Sequence, residues 1–398
     1  MPRSKKIETV FFSVLQQNPD IPKIKKIASC FNSSDWQDFY AFVCASEVFP
    51  CFYSKSAELK LNCFPDDLMN KLRNIFILNL GRNILLEQEL FRIAGYFRDH
   101  RCQLAPLKGP TLARQIYGDL ALRQASCDLD LLVRPEDFWA AQGILEQMGY
   151  VYRGDEAVSR SYKLKYSAQL SFAKNIPGLG AMMVELHSDL RNRFAYAPLE
   201  YFWNSLSETQ IEGNSILSPT KESLLVYLSF NAMANAEFGG IKYLHDLYRL
   251  VVKSGNDLNW DGILGQIKAK RGVSCVYFAL ALSEELFGSG APKSFIKAIK
   301  PGAIKNGILR IWLNRNNLLY KKRDKLHNLY YFNTFWQYFA SSYLYALNFV
   351  DCFKIVKDKI FLPAESIREL YRDSSIKQPV VLYLKRVAKP LTRIFRRK

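Results

Sequence analysis

The sequence predicts an α+β protein in which a mixed sheet is flanked by helical regions at both ends of the chain. Residues 1–100 show helical spacing of apolar side chains, as at Leu68, Leu72, Ile75, Phe76 and Leu80. Residues 101–215 instead alternate short apolar runs, typical of buried strands, with helical stretches. We therefore expect four regions: an N-terminal helical region at 1–100, a mixed core at 101–215, a helical domain at 216–300, and a helical, basic C-terminal region at 301–398.

The mixed core contains most of the elements that the pattern defines. We expect strand 103–108, helix 110–118, strand 128–133, helix 135–148, and strands near 150–153, 168–174 and 181–188. Pro110 and Pro135 suit the first position of a helix, and Gly149 suits the end of one. In the following domain, Ser218 is the expected N-cap of a helix with Pro219 at its first position.

Composition bounds the classes of function. The formal net charge of +18 over 398 residues fits binding of a polyanion, either nucleotide, nucleic acid or an anionic membrane surface. The eight cysteines include no C-x-x-C pair and the four histidines are widely spaced, so we expect reduced thiols and no structural zinc site. The apolar stretch at 10–15 is too short for a secretory signal. We therefore predict a cytoplasmic protein.

Two C-terminal segments leave a membrane association open. Residues 328–350 contain no charged side chain but include several polar ones, so a buried helix is favoured over a membrane span. Residues 376–398 are rich in Lys and Arg, contain no acid and interleave apolar residues. This tail fits peripheral contact with an anionic membrane, contact with nucleic acid or another acidic partner, or a basic terminus that binds nothing.

The most informative motif is the pair Asp128 and Asp130. The apolar residues around the pair predict a buried strand, on which alternate side chains project from the same side. Two adjacent carboxylates repel each other and are costly to bury without a cation. Mg²⁺ is the simplest cation to hold both, because it takes oxygen ligands and leaves positions for phosphate. Taken alone, this spacing favours a solvated strand end, and the surrounding motifs reverse that judgement.

A second motif, Lys108-Gly109, precedes the pair. It follows a short apolar strand, and Pro110 can begin a helix whose free N–H groups point at an anion. Lys108 adds positive charge, and Gly109 lets a phosphate approach the backbone closely. Arg123, shortly before Asp128, is a further candidate for phosphate contact.

Glu185 is the candidate for a third carboxylate. The stretch from Met182 to Asp189 reads as a strand that places Val184, Leu186 and Ser188 on one face and Glu185, His187 and Asp189 on the other. If this strand lies beside the aspartates, Glu185 joins them. For His187 and Asp189, a solvated face of an edge strand is an equally good interpretation.

These motifs follow one another in an order that resembles a known family. Lys108-Gly109, Arg123, Asp128-Leu-Asp-Leu-Leu-Val133, a helix ending at Tyr150, and Val184-Glu-Leu-His187 are similar to an uncharacterised bacterial nucleotidyltransferase family, the NTP-transferase-5 type. That family belongs to the DNA polymerase β-like nucleotidyltransferase superfamily. The superfamily's usual Gly-Gly or Gly-Ser pair is Gly109-Pro110 here, which agrees with this branch. The resemblance covers most of the chain and is loose at the C-terminal end.

The resemblance implies a polymerase β-like mixed sheet and an enzyme that transfers NMP from an NTP, expected to be ATP, to an acceptor that the sequence does not identify. Asp128, Asp130 and Glu185 would hold two Mg²⁺ ions, Lys108 and Gly109 would bind the β and γ phosphates, and Arg123 would assist. His187 and the pair His245-Asp246 are not included in this site. Two alternatives remain: a catalytically degenerate nucleotide-binding protein, and a basic protein that binds RNA or a membrane surface.

Overall fold

A computed structural model describes residues 3–154, 159–178, 180–190, 199–236, 240–269 and 272–320, together with Leu344, Cys352 and Val381. The predicted buried helix at 328–350 and the basic tail at 376–398 therefore lie almost entirely outside the described residues. Within the part of the chain that is described, no helix combines the length and the apolar composition needed to cross a bilayer.

The N-terminal region is helical, as predicted. Its helices are α1 (Arg3–Leu15), α2 (Ile21–Ala28), α3 (Ser33–Ala45), α4 (Phe49–Glu58) and α5 (Asp66–Asp99). Asn32 begins α3 with a capping box, in which its side chain accepts from the Asp35 N–H and the Asp35 side chain accepts from the Asn32 N–H. The long helix α5 runs directly into the mixed core and packs against its sheet.

The core is a mixed five-stranded sheet. Its strands are β1 (Leu104–Pro106), β2 (Asp128–Val133), β3 (Val151–Tyr152), β4 (Gln169–Ile176) and β5 (Gly180–His187). Their order across the sheet is β1-β2-β5-β4-β3. Only β2 and β5 are parallel neighbours, and the other three pairings are antiparallel. The fold class predicted from the sequence is therefore confirmed, and the strands lie close to their expected positions.

The two faces of the sheet have different chemistry. One face carries Leu129, Leu131, Val184 and Leu186, which join a hydrophobic cluster with residues of α5 and of α7 (Phe138–Gln147). A short α-helical turn, α6 (Pro110–Leu112), lies between β1 and β2. The opposite face carries the acidic residues of β2 and β5. Alternation along the strands thus separates an apolar face, held by two helices, from a polar face.

Helix 110–118 differs from its prediction. Only α6 is α-helical, and the chain continues as a π-helical segment at Ala113–Tyr117. The segment ends where the Gly118 N–H bonds to the carbonyl oxygens of Ala113 and Arg114, with Gly118 in the left-handed conformation. The sequence predicted the bounds but not the helix type, because a π-bulge depends on tertiary contacts rather than on apolar spacing.

The remaining elements are mostly helical. They are α8 (Arg160–Ser167), α9 (Leu199–Asn204), the hairpin of β6 (Leu206–Ile211) and β7 (Asn214–Pro219), α10 (Lys221–Ala236), α11 (Ile241–Ser254), α12 (Trp260–Ala269), α13 (Val273–Phe287), α14 (Lys293–Ala298), α15 (Ala303–Trp312) and α16 (Arg315–Tyr320). The hairpin was not predicted.

The helix start predicted at Ser218 and Pro219 is wrong. Both residues belong to β7, and α10 begins two positions later. Thr220 caps it, since its hydroxyl oxygen accepts from the Ser223 N–H at 3.4 Å. Ser-Pro signals a helix start only when the serine has the extended conformation of a cap and the next residues are free to turn. Here pairing with β6 keeps both residues in a strand.

One hydrophobic cluster connects the N-terminal helices to the helices after the sheet. It contains Phe11 and Phe52 together with Leu244 and Phe287, and Leu107 from the core also belongs to it. A hydrogen bond from the Tyr248 hydroxyl to the Leu15 carbonyl at 3.1 Å adds a polar connection. The four predicted regions therefore share a core, and their boundaries as separate domains remain a prediction.

Candidate active site

Asp130 lies at the centre of the polar face. Its backbone carbonyl accepts a hydrogen bond from the Leu107 N–H at 2.9 Å, which extends the pairing of β1 with β2 up to Lys108. The Lys108 ammonium lies 3.1 Å from Oδ2 of Asp130, and Nε2 of His187 lies 3.2 Å from Oδ1. Asp130 is only 6% exposed, so both contacts act largely shielded from water.

This arrangement stabilises the charged forms of both partners. Burial alone would raise the pKa of Asp130, but the Lys108 charge and the His187 hydrogen bond outweigh it and hold that pKa below its usual range. Burial alone would likewise lower the pKa of Lys108, and the Asp130 charge reverses the effect. The ammonium therefore occupies the place of a counter-ion at the buried carboxylate.

Glu185 joins the site through the parallel register. Asp130 is paired with Glu185 across β2 and β5, so the two side chains project from the same face. Burial, and then repulsion from Asp130, raises the pKa of Glu185. Asp128 lies one pleat away on the same face, and burial followed by repulsion from Asp130 raises its pKa as well. Three carboxylates thus converge, and among the described residues only Asp130 of the three has a lysine in contact.

Three side chains are close enough to share one metal ion. Asp130, Glu185 and His187 each offer a ligand atom, and these atoms all lie within 4.8 Å of one another. Excess negative charge and two carboxylates beside an imidazole fit a divalent metal. Asp128, a predicted ligand, is not part of this group, and His187, which sequence reasoning set aside, is. The signal for His187 was its place on the Glu185 face of β5.

The register also explains how His187 reaches Asp130. His187 is paired with Leu132 of β2, so it lies one pleat beyond the pair formed by Asp130 and Glu185. Its Nε2 lies 3.8 Å from Oε2 of Glu185 in addition to its contact with Asp130. An imidazole between two carboxylates can bind a metal directly, or it can orient the acids that do.

Lys108-Gly109 forms the edge of the site next to β1. Gly109 has φ 72° and ψ −140°, a conformation that other residues rarely adopt. A β-carbon at this position would lie 3.5 Å from Cδ2 of Leu129, an ordinary contact, so the requirement for glycine comes from the backbone. The predicted phosphate contacts of Lys108 and Gly109 remain predictions.

Arg123 does not join the carboxylates. Its Nε and Nη2 each donate at 3.0 Å to a different oxygen of Asp246, and both residues are buried. The Tyr117 hydroxyl also donates to Asp246, at 2.8 Å, and lies 2.9 Å from Nδ1 of His245. His245-Asp246 therefore packs α11 against the core. The bidentate ion pair with Asp246 gives the Arg123 guanidinium a structural role. The phosphate contact predicted for Arg123 stays a prediction.

Helix α5 holds the segment that leads into β2. The Asn83 amide donates at 2.8 Å to the carbonyl oxygens of both Leu120 and Arg123. The Asn79 amide donates to Ala121 and Arg123, and its oxygen accepts from the Ala125 N–H at 2.8 Å. This loop makes no strand pairing of its own, and the buried amides supply hydrogen bonds to its backbone groups. They thereby fix the position of Asp128, where β2 begins.

Helices α10 and α11 contribute residues that sequence reasoning missed. The Lys108 charge acts on the hydroxyl of Tyr227 of α10, which lies within reach of the ammonium. Tyr243 of α11 lies close enough for the Lys108 charge to act on its hydroxyl. Lys242 is 7% exposed, and its charge lowers the pKa of Asp128 against the effects of burial and Asp130. No sequence signal distinguishes these residues from other members of the helical domain.

The fold and the site define the class of protein: an α+β protein whose mixed sheet carries an acidic cluster suited to a divalent metal. A family model described as an uncharacterised nucleotidyltransferase matches residues 32–288, and the chain belongs to that family. The match spans α3 to α13 and contains every predicted site residue. No curated protein matches the chain. Membership of this family indicates transferase activity.

Proposed function

We propose that the protein transfers NMP from an NTP, with ATP as the expected donor, to an acceptor. The observation that carries the proposal is the placement of Asp130 beside Glu185 on parallel strands, with the Lys108 ammonium 3.1 Å from Asp130. Family membership supports the reaction class. Paired carboxylates with an adjacent cation suit phosphoryl chemistry, in which positioning and charge neutralisation lower the barrier.

The proposed ligands of Mg²⁺ are Asp128, Asp130 and Glu185, with two ions as the family resemblance implies. When bound, Mg²⁺ neutralises phosphate oxygens and orients them for in-line displacement. Side-chain chemistry supports this set, because the pKa of both Asp128 and Glu185 is raised by burial and by repulsion from Asp130. Neighbouring positive charge would relieve that repulsion. His187 either completes the ligand set or holds Asp130 in place.

The reaction proposed here is a substitution at the α-phosphorus. An acceptor oxygen forms a bond to that phosphorus, the bond to the bridging oxygen of the β-phosphate breaks, and pyrophosphate leaves with the electron pair. Glu185 accepts the proton of the acceptor, and its raised pKa makes it a better base than an ordinary carboxylate. Lys108 and the Gly109 backbone bind the β and γ phosphates. The acceptor lies between the core and the helices after residue 216.

The decisive experiment is pyrophosphate release by Asp130→Asn. We expect loss of release with ATP and Mg²⁺, because the amide cannot supply the central negative charge. Asp99→Asn removes an equal charge from an exposed position at the end of α5 and should keep normal release. Circular dichroism and urea unfolding verify that each variant is folded. Normal release by a folded Asp130→Asn would refute the metal assignment.

A nucleotide-binding protein without turnover is the second candidate, since the chain is basic and its family is uncharacterised. Calorimetric titration with each NTP and Mg²⁺, followed by the release assay, separates the two. Binding with no release over a broad set of acceptors would favour the non-catalytic protein. Mass spectrometry of candidate acceptors after incubation with labelled ATP identifies the acceptor.

The basic tail at 376–398 supports a third candidate, contact with RNA or an anionic membrane surface. Deletion of 376–398 tests it against the nucleotidyltransferase. If the tail carries the function, binding to RNA or to anionic vesicles is salt-sensitive, is lost on deletion, and survives Asp128→Ala with Asp130→Ala. If the carboxylates carry the function, the truncated protein keeps pyrophosphate release.

A further inference from the structure

Lys242 is a buried cation with no hydrogen-bond or ion-pair partner among the described residues. It lies in the first turn of α11 and is 7% exposed. Its ammonium makes no hydrogen bond or ion pair with any other residue in the part of the chain that the structure describes. A buried ammonium without a partner is destabilising, because water no longer solvates the charge. The simplest explanation for such a group near a candidate active site is that it binds a ligand.

The charges around Lys242 do not neutralise it. Arg123 and Lys108 repel it, Asp246 and Glu47 attract it, and Asp246 is already bound to Arg123 by two hydrogen bonds. Burial, and then the Arg123 charge, lowers the pKa of Lys242 to about 8. Its charge also acts on Asp128 and on Cys127 at the start of β2. The lysine therefore belongs to the electrostatics of the site.

The beginning of α11 adds to this positive potential. The helix starts after Gly240, a residue with no side chain that could cap it, and its first turn contains no acidic residue. In this first turn the Tyr243 N–H bonds to the Gly240 carbonyl oxygen at 3.1 Å. The N–H groups of Ile241 and Lys242 have no acceptor within the helix. The helix dipole also makes this end attractive to anions. A buried lysine with no hydrogen-bond or ion-pair partner among the described residues is thus part of the first turn of this helix.

We propose that Lys242 and the first turn of α11 bind phosphate groups of a polyphosphate chain, and that they act together with Lys108 at the site of the carboxylates. A triphosphate or pyrophosphate carries several negative charges, which matches the two lysines and the helix N-terminus better than a single phosphate does. The inference rests on the proposed function for the nucleotide, but it concerns binding and does not need turnover. Lys242, a residue of the helical domain, would thus bind the polyphosphate.

The test is calorimetric titration of wild-type protein and Lys242→Met with ATP, AMP, pyrophosphate and inorganic phosphate, both with EDTA and with Mg²⁺. We expect ATP and pyrophosphate to bind about 10- to 100-fold more weakly to Lys242→Met, the range for a hydrogen bond to a charged group. AMP affinity should change less than twofold. Lys268→Met removes an equal charge from an exposed position on α12 and should leave all affinities unchanged.

Thermal unfolding of the same variants separates binding from folding. Methionine has nearly the length of lysine and no charge, so Lys242→Met should have a melting temperature equal to or above that of wild type without ligand. Unchanged stability with weaker ATP binding is the signature of a ligand-binding residue. A lower melting temperature with equal losses for ATP and AMP would assign Lys242 to the fold and overturn the proposal.

Three further outcomes would also overturn it. These are ATP and pyrophosphate affinities within twofold of wild type in Lys242→Met, the same loss in Lys268→Met, and no binding of either ligand by wild-type protein. If Lys242→Met weakened the binding of inorganic phosphate alone, the ligand of Lys242 would be a phosphate group on the acceptor and not a polyphosphate. A wild-type protein that binds ATP but releases no pyrophosphate would defeat the proposed function, while the comparison of affinities would still decide the role of Lys242.

Discussion

At the scale of single residues, the pair of Lys108 and Asp130 decides the electrostatics of the site. The two side chains are 17% and 7% exposed and lie 3.1 Å apart. Each would be costly to bury alone, and together they stabilise each other's charged form. The lysine that is proposed to bind phosphate therefore also neutralises the central carboxylate when no ligand is present. When a phosphate binds, the Lys108 ammonium has to share its contact between Asp130 and that phosphate.

This pairing predicts strong coupling between Lys108→Met and Asp130→Asn. Each single variant leaves one buried charge without its partner and should lose roughly 3 kcal/mol of unfolding free energy. The double variant should lose less than the sum, with a coupling of about 1–3 kcal/mol. Urea unfolding of the four proteins measures it. Additive losses would show that the two charges do not interact in the folded protein.

The pH dependence of the same pair has a defined sign. The folded protein holds the pKa of Asp130 below its ordinary value, so the folded state binds the proton less tightly than the unfolded chain does. The stabilisation is therefore complete above the unfolded pKa, about 4 for aspartate, and is lost as the pH falls through the lower folded-state pKa. Asp130→Asn should remove that part of the acid dependence.

At the scale of elements, α5 positions the active strand through side chains rather than through backbone pairing. Asn79 and Asn83 are buried on the face of α5 that meets the loop before β2, and their amides bind carbonyl oxygens from Leu120 to Arg123. Asparagine is a relatively poor helix former, because its side chain competes for backbone hydrogen bonds, so its presence inside a long helix has a tertiary reason. The buried amides of α5 therefore hold the loop before β2 in its conformation.

We expect Asn83→Leu to destabilise the protein by about 2 kcal/mol, because the Leu120 and Arg123 carbonyl groups each lose a donor, although Arg123 keeps the one from Asn79. Asn74→Leu changes an exposed position of the same helix and should alter stability by less than about 0.5 kcal/mol. Urea unfolding measures both. A cost for Asn83→Leu no larger than that of the control would mean that the loop holds its conformation without α5.

At the scale of the whole molecule, one buried network joins the core to the helices that follow it. Arg123 and Tyr117 come from the segment before β2, and His245 and Asp246 come from α11. The shared hydrophobic cluster surrounds this connection with apolar side chains from α1, α4 and α13. Because α11 also carries Lys242, the network fixes the position of that lysine relative to the sheet.

The network predicts opposite outcomes for single and double variants. Asp246→Leu leaves the Arg123 guanidinium buried without a counter-ion and should cost about 3–5 kcal/mol of unfolding free energy. Adding Arg123→Met removes that charge and should restore much of the loss. Urea unfolding provides the energies, and ATP titration of the double variant decides the role of Arg123. Unchanged ATP affinity means a structural arginine, whereas a marked loss restores the phosphate contact predicted from the sequence.

Much of the core was predictable because its signals are local. Apolar runs and alternation defined β2, β4 and β5, and the face of β5 that carries Glu185 followed from the period of two. The errors have non-local causes. Ser218-Pro219 has the composition of a helix start, but pairing with β6 keeps it in a strand. Lys242 has no sequence feature that distinguishes it from a solvated lysine, because only packing decides its burial.

The sequence alone was sufficient for the α+β class and for the carboxylates on the polar face of their strands, since the backbone geometry of a strand alternates side chains whatever its surroundings. Strand pairing and helix packing then decided the partners of each charge. They brought Lys108 and His187 to Asp130 and paired Arg123 with Asp246. They left Lys242 without a hydrogen-bond or ion-pair partner among the residues that the structure describes. Such contacts join residues far apart in the chain, and their energies depend on register and burial, which no local pattern encodes.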